Sequence, residues 1–243
     1  MIGQRCMNND RILYEDKDIL VCHKPAGIAT QTARVGQADM VSEMTNYLKT
    51  TDPDLKKPLY VGVIHRLDQP VEGILVFAKN KAAAAGLSRQ VAGDGMKKEY
   101  LAVVCGGNFK QSGELKDYLL KDGKTNLSRV VPPEVKGAKE ARLSYEILSE
   151  GPSGTALVRV RLYTGRHHQI RVQMANAGMP LLGDRKYARD AVVALSLQLG
   201  VREIALCAYR LAFTHPKTGE KMQFEISPEG SAFHTIKNEW NRG

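Results

Sequence analysis

Asp68 is the first residue whose setting invites a chemical reading. A mostly apolar run, Leu59 to Ile64, reads as a short strand and leads into His65-Arg66-Leu67-Asp68, and Gln69-Pro70 then breaks the run. On generic grounds Asp68 is a turn carboxylate. The alternative is that the end of a buried strand places the carboxylate rigidly at a cleft, with cationic Arg66 close by. Arg166 and His167 fall in the predicted first turn of a helix, where unsatisfied backbone N–H groups attract phosphate. Arg171 lies about one turn further on. It makes either a surface ion pair of little worth or, if buried beside a carboxylate, a partner that holds that carboxylate ionised. Tyr100 opens an apolar strand and reads either as a core aromatic or as a platform for a base.

Charge favours an anionic partner. The 243 residues hold 35 Lys+Arg against 26 Asp+Glu, a formal net charge of +9. Lys and Arg that neutralise phosphates gain affinity through counterion release. From Gly151 through Gly183 there is no Asp or Glu, while Arg159, Arg161, Arg166, Arg171, His167 and His168 all fall there. Such a stretch is a basic ligand surface, unless the fold spreads its arginines over several faces. Other classes find no support. No GxGxxG or GxxxxGK[ST] loop is present for a bound nucleotide cofactor. Cys6, Cys22, Cys105 and Cys207 are too far apart for a CxxC pair, and His and Cys lack zinc-ligand spacing, so no metal is expected. The last three cysteines sit in or beside apolar runs, as reduced, partly buried thiols do. There is no signal peptide and no run as long as a membrane span, so a cytoplasmic location is the default.

The elements that must position these residues are short. Residues 1–10 are polar and expected to be loosely ordered, ahead of a single domain over 11–243. Arg11 to Tyr14 and Ile19 to His23 read as strands split by Glu15-Asp16-Lys17-Asp18, and Lys24-Pro25-Ala26-Gly27 must leave the sheet. Val41 to Leu48 suits a helix. Gly73 to Ala78 and Tyr100 to Val104 are apolar strands, and Asn80 can cap a helix from Lys81 to about Val91. Arg142 to Leu148 and Ala156 to Leu162 alternate as half-buried strands do. Thr164 can cap a helix running to Ala177, with Gly178 as its stop. Ile204 to Phe213 and Met222 to Ile226 close a hairpin around His215-Pro216-Lys217-Thr218-Gly219. Many short strands with a few helices argue for an α+β fold with a mainly antiparallel sheet.

Three blocks in this order resemble the RluA-like family of RNA pseudouridine synthases. Val63 to Lys79 (VIHRLDQPVEGILVFAK) is similar to its catalytic block, Lys97 to Val104 (KKEYLAVV) to its tyrosine block, and Leu162 to Tyr187 (LYTGRHHQIRVQMANAGMPLLGDRKY) to its third block, a TGRxHQIRV helix followed by Gly-x-Pro and Gly-Asp. Flanking matches, ILYEDKDILVCHKPAGIAT and ALCAYRLAFTHPKTGEKMQFE, extend the resemblance from about Arg11 to Glu225. Two positions depart from the family pattern. Val71-Glu72-Gly73 stands where a Thr-Ser-Gly turn is common, and Gln173 where a His usually follows Arg-Val. The small N-terminal RNA-binding domain of many members is not expected here.

The resemblance implies the pseudouridine synthase fold, with a mixed sheet, flanking helices and a central RNA-binding cleft. It implies isomerisation of uridine to pseudouridine in a structured RNA, ribosomal or transfer; a monomer is the default expectation. The N–C glycosidic bond breaks, the base turns, and C5 rejoins the sugar. Nothing is oxidised and no outside group is transferred, so no cofactor is implied. Asp68 would be the essential carboxylate, by attack on C1′ or by removal of a 2′ proton to give a glycal. Arg171 would pair with Asp68, and Tyr100 would pack on the base and help remove its C5 proton. The uridine must be flipped out of its stack, with Arg66 filling the gap. His65, Arg166, His168, Gln169 and Ile170 complete the expected RNA-binding set. A non-catalytic RNA-binding protein on the same fold is the alternative, which intact Asp68, Tyr100 and Arg171 argue against.

Overall fold

The element order follows from where apolar runs stop. In the computed structural model, which describes residues 9–34, 36–51, 58–230 and 233–234, the chain forms β1 (Ile12–Glu15), β2 (Ile19–Lys24), α1 (Met40–Thr51), β3 (Gly62–Val63), β4 (Glu72–Ala78), α2 (Lys81–Ala92), β5 (Lys97–Cys105), β6 (Ser112–Asp122), β7 (Leu127–Val131), β8 (Lys139–Gly151), β9 (Thr155–Leu162), α3 (Gln169–Asn176), α4 (Asp190–Gln198), β10 (Leu206–Thr214) and β11 (Lys221–Glu225). The fold is α+β, and the ladders β1–β2, β2–β4, β3–β4 and β10–β11, like β5–β9, β9–β8, β8–β6 and β6–β7, are antiparallel. The expectation of loose order for the N-terminus, and Cys6 with it, falls on residues outside those described, apart from a 3-10 turn at Asn9–Arg11. No described helix is long and apolar enough to cross a membrane.

One unit takes the chain up to Met96 together with Arg210–Ile226. Its β2 and β4 pair in register from Ile19↔Ala78 to Lys24↔Gly73, and both strands are buried along their whole length. That is why they read as continuous apolar runs rather than alternating ones. Ile19, Val21, Ile74, Val76, Leu211 and Phe213 form a core, which α2 covers with Ala83 and Leu87. Asn80 caps α2 as expected, its side-chain oxygen accepting from the Ala83 N–H at 2.8 Å. The strand expected over Leu59 to Ile64 shrinks to the two residues of β3. A side chain at Gly62 would collide with the Tyr60 ring 2.7 Å away, so the Tyr60 ring lies over the main chain there.

The other unit takes Lys97–Tyr209 and the end of the chain. Its strands run in the order β5-β9-β8-β6-β7. Tyr100 faces Val160 across the β5–β9 ladder, and Val160 faces Tyr145 across β9–β8. The hairpin β6–β7 and helix α4 lie in stretches that gave no clear sequence period. The helix expected from Thr164 begins only at Gln169, because His168 adopts a left-handed conformation with φ 54°. Arg166 and His167 therefore precede the helix rather than forming its first turn.

Candidate functional site

In the first unit the neighbours of Asp68 are clamped on both sides. The buried Thr30 hydroxyl accepts from the Leu67 N–H at 3.1 Å and donates to the Leu67 carbonyl at 3.0 Å. On the other side Gln69 is held by three contacts. Its carbonyl accepts from the Gly27 N–H at 2.9 Å, its side-chain amide donates to the Gly27 carbonyl at 3.0 Å, and its carbonyl also receives the Lys24 ammonium at 3.1 Å. The Asp68 carbonyl closes a turn onto the Val71 N–H at 3.0 Å. Within His65-Arg66-Leu67-Asp68, Leu67 is buried, Arg66 is exposed, and Asp68 is half-buried. A half-buried carboxylate on a doubly anchored segment has the fixed geometry that a reacting group needs. His65 is also partly inside, its Nε2 accepting from the Val76 N–H at 3.4 Å.

Lys24 explains why that segment is rigid. It is fully buried, and its three donors go to the carbonyls of Pro25 (2.9 Å), Ile28 (2.7 Å) and Gln69 (3.1 Å). Burial pushes its pKa down to about 7, against the upward pull of Asp68 and Glu72. The departure at Glu72 falls into place here. Glu72 is buried at the start of β4, with its Oε2 3.8 Å from His23 Nε2. The extra carboxylate answers an internal charge and does not face solvent.

In the second unit, α3 turns Arg171 inward. Arg171 is 3% exposed and Asp184 2%. Asp184 takes Arg171 in a bidentate pair, Nε to Oδ2 and Nη2 to Oδ1, both at 2.8 Å. Oδ1 also accepts the N–H groups of Lys186 (2.9 Å) and Tyr187 (3.3 Å). The guanidinium lies 5.1 Å from the centre of the Tyr187 ring. The Tyr187 hydroxyl in turn accepts the Ser128 N–H at 2.9 Å and bonds His168 Nδ1 at 2.7 Å. Asp184 is the site residue that the sequence expectations lack. The signal for it was the Gly183-Asp184 pair itself. Gly183 has φ +75°, and a β-carbon there would lie 1.8 Å from the Glu203 carbonyl oxygen, so only glycine delivers the carboxylate to this place.

The other expected RNA-binding residues divide. Arg66 and Arg166 are exposed, whereas His168, Gln169 and Ile170 are buried. Gln169 fastens the turn before α3. Its Oε1 accepts the Arg166 N–H at 3.0 Å and the Thr164 hydroxyl at 2.8 Å. The Arg166 N–H is therefore engaged, which corrects the expectation of open amides for phosphate at this point. The acid-free stretch is not one basic surface either. Arg159 pairs with Glu146 and Arg171 with Asp184, with both acids supplied by other parts of the chain. The second departure, Gln173, is fully buried, and its amide donates to Asp117 Oδ2 at 2.7 Å and to the Ala141 carbonyl at 3.2 Å. It ties α3 to the strands beneath it. Tyr100 is 6% exposed, on the buried face of β5.

One cluster has the makeup of a cation site: Asp16, Asp18 and His215 bring ligand atoms within 4.8 Å of one another. The histidine does not suit a metal. Its Nδ1 accepts the N–H groups of Lys217 (3.3 Å) and Thr218 (3.0 Å). The proton of the neutral ring then sits on Nε2, 2.9 Å from Asp16 Oδ2, and no lone pair is left for an ion.

The clamped carboxylate after HRL, the tyrosine of β5 and the arginine of α3 all fall within one stretch of the chain that matches a known family. The family of RNA pseudouridylate synthases matches residues 18–176, more than half of the chain, and the chain belongs to that family. It is 34% identical over 222 residues to the ribosomal large subunit pseudouridine synthase C of Pasteurella multocida, covering 90% of this chain and 65% of that protein. It is 31% identical over 220 residues to the dual-specificity RNA pseudouridine synthase RluA of Yersinia pestis, covering 90% of this chain and 98% of that protein. The chain thus spans slightly under two thirds of the first relative and nearly all of the second. The solved structure of human RNA pseudouridylate synthase domain containing 4 has a TM-score of 0.76 over 94% of this chain and 92% of that chain. At 22% identity it shows the shared fold.

Proposed function

We propose that this protein isomerises specific uridines to pseudouridine in a structured RNA, with Asp68 as the catalytic carboxylate. The observation that carries the reading is the clamping of Leu67 and Gln69 about Asp68, inside the segment that matches the family. A turn carboxylate of no special purpose has no need of a fully buried lysine and a buried threonine to fix its neighbours. The names of the ribosomal large subunit relatives favour ribosomal RNA as the substrate, with transfer RNA second.

In the mechanism, Asp68 acts on the sugar of the flipped uridine, at C1′ or at the 2′ proton. A carboxylate can capture or stabilise an oxocarbenium-like sugar. The freed uracil turns and C5 bonds to C1′ as the Asp68–C1′ bond breaks or, on the glycal route, as Asp68 returns the 2′ proton; the C5 proton leaves and N1 takes one up. Tyr100 packs on the base, and Arg171, fixed by Asp184, pairs with Asp68. Arg66 and Arg166, both exposed, contact the RNA, while His65, His168, Gln169 and Ile170 hold those contacts in place from inside. The test is to delete the gene, or to replace it with Asp68→Ala, and map pseudouridines in total RNA. Loss of the same defined site in both strains supports the reading and names the substrate. Persistence of every site in a strain with no second synthase refutes it.

A further inference from the structure

Lys98 stands two residues before Tyr100 on β5, so the two side chains leave the same face of the strand, about 6–7 Å apart. Lys98 lies opposite Leu162 and Tyr100 opposite Val160. The Lys98 ammonium ends at the turn Thr164-Gly165-Arg166, where a β-carbon on Gly165 would come within 3.7 Å of Nζ. Gly165 and Arg166 are both exposed. The turn thus covers the ammonium with bare backbone and leaves an approach from solvent.

Lys98 is half-buried, and burial pushes its pKa down with no acidic group pulling the other way. Among the described residues no carboxylate or carbonyl takes its charge. Lys24, which is fully buried, makes the contrast: three carbonyls receive it and two carboxylates offset it. A cation partly withdrawn from water with no partner costs stability, which points to a partner that arrives from outside.

We propose that Lys98 is a phosphate receptor, taking the backbone phosphate next to the uridine whose base packs on Tyr100. The inference rests on the proposed role of Tyr100 as the base platform. Exposed Arg166, next to Gly165, adds positive charge at the same opening.

The test measures binding of a fluorescein-labelled single-stranded oligouridylate by anisotropy across a series of KCl concentrations, with the full chain, Lys98→Met and Lys98→Arg. Each phosphate neutralised on a single strand contributes about 0.7 to the slope of log affinity against log salt. Lys98→Met is expected to bind several-fold more weakly at low salt, with a slope smaller by about 0.7, while Lys98→Arg keeps the wild-type slope. Lys98→Met should also melt no lower than the wild type, because an unpartnered, half-buried charge has gone. An unchanged slope and affinity in folded Lys98→Met overturns the proposal, and so does a lower melting temperature with no rescue of the slope by Lys98→Arg. The binding assay asks nothing of turnover. A wild type that makes no pseudouridine would sink the enzymatic reading without altering the Lys98 slope result.

Discussion

Asp184→Asn removes the charge that answers Arg171 while keeping the shape of the side chain. The pair is almost wholly out of water, with side-chain exposures of 3% and 1%. Its two bonds are both 2.8 Å long. Breaking a buried pair from one side costs about 3–5 kcal/mol. For a chain of this size each kcal/mol lowers the melting temperature by about 2–4 °C, so Asp184→Asn should melt about 6–20 °C below the wild type. Calorimetric melts at neutral pH measure this directly. The double variant Arg171→Met with Asp184→Leu removes both charges and should recover most of the loss, since apolar replacement of a buried pair is often close to neutral. A loss below about 1 kcal/mol in Asp184→Asn, or a double variant no more stable than the single, would refute the buried-charge reasoning.

Two further expectations concern Asp16 and its neighbours. Burial raises the Asp16 pKa, but the N–H groups of Ile19 and Asp18, the Tyr14 hydroxyl and His215 outweigh it and hold the carboxylate below its usual value. A depressed acid contributes stability that is present above its unfolded pKa and is lost as pH falls through its folded pKa. Asp16→Asn should therefore be less stable than the wild type in urea melts at pH 7, with the gap closing once pH falls below about 4; a gap that persists in acid would contradict this. Added Zn²⁺ or EDTA should leave the melting temperature unchanged, because His215 spends its lone pair on backbone N–H groups. A rise with metal that Asp18→Asn abolishes would show that the cluster binds an ion after all.

The parts of the fold legible in the sequence are those with a local physical cause. Buried β2 and β4 appear as unbroken apolar runs, and Asn80 announces α2 by its capping chemistry. The start of α3 was not legible, because Thr164 is a good cap by type. The actual start depends on His168 in a left-handed conformation that its partner Tyr187 helps to fix from a distant position in the chain. Strand β6 was missed because its apolar residues are few and most of its length is exposed or half-exposed. At the candidate site, the roles of Asp68, Tyr100 and Arg171 are proposed from block resemblance rather than from any generic signal. Asp184 and Lys24 act through contacts from elsewhere in the fold, Asp184 on Arg171 and Lys24 on Gln69. The two departures from the family pattern, Glu72 and Gln173, are both buried side chains that serve the interior.

The most direct test of the central claim uses the proton that must leave C5. RNA from a strain lacking the gene, labelled with tritium at uracil C5, is incubated with the purified protein, and tritium released to water is counted. The wild type should release tritium in an amount matching the pseudouridine found in the same RNA. Asp68→Ala should release none while melting at a temperature close to that of the wild type. Release by folded Asp68→Ala at the wild-type rate would contradict the assignment of Asp68 as the catalytic carboxylate.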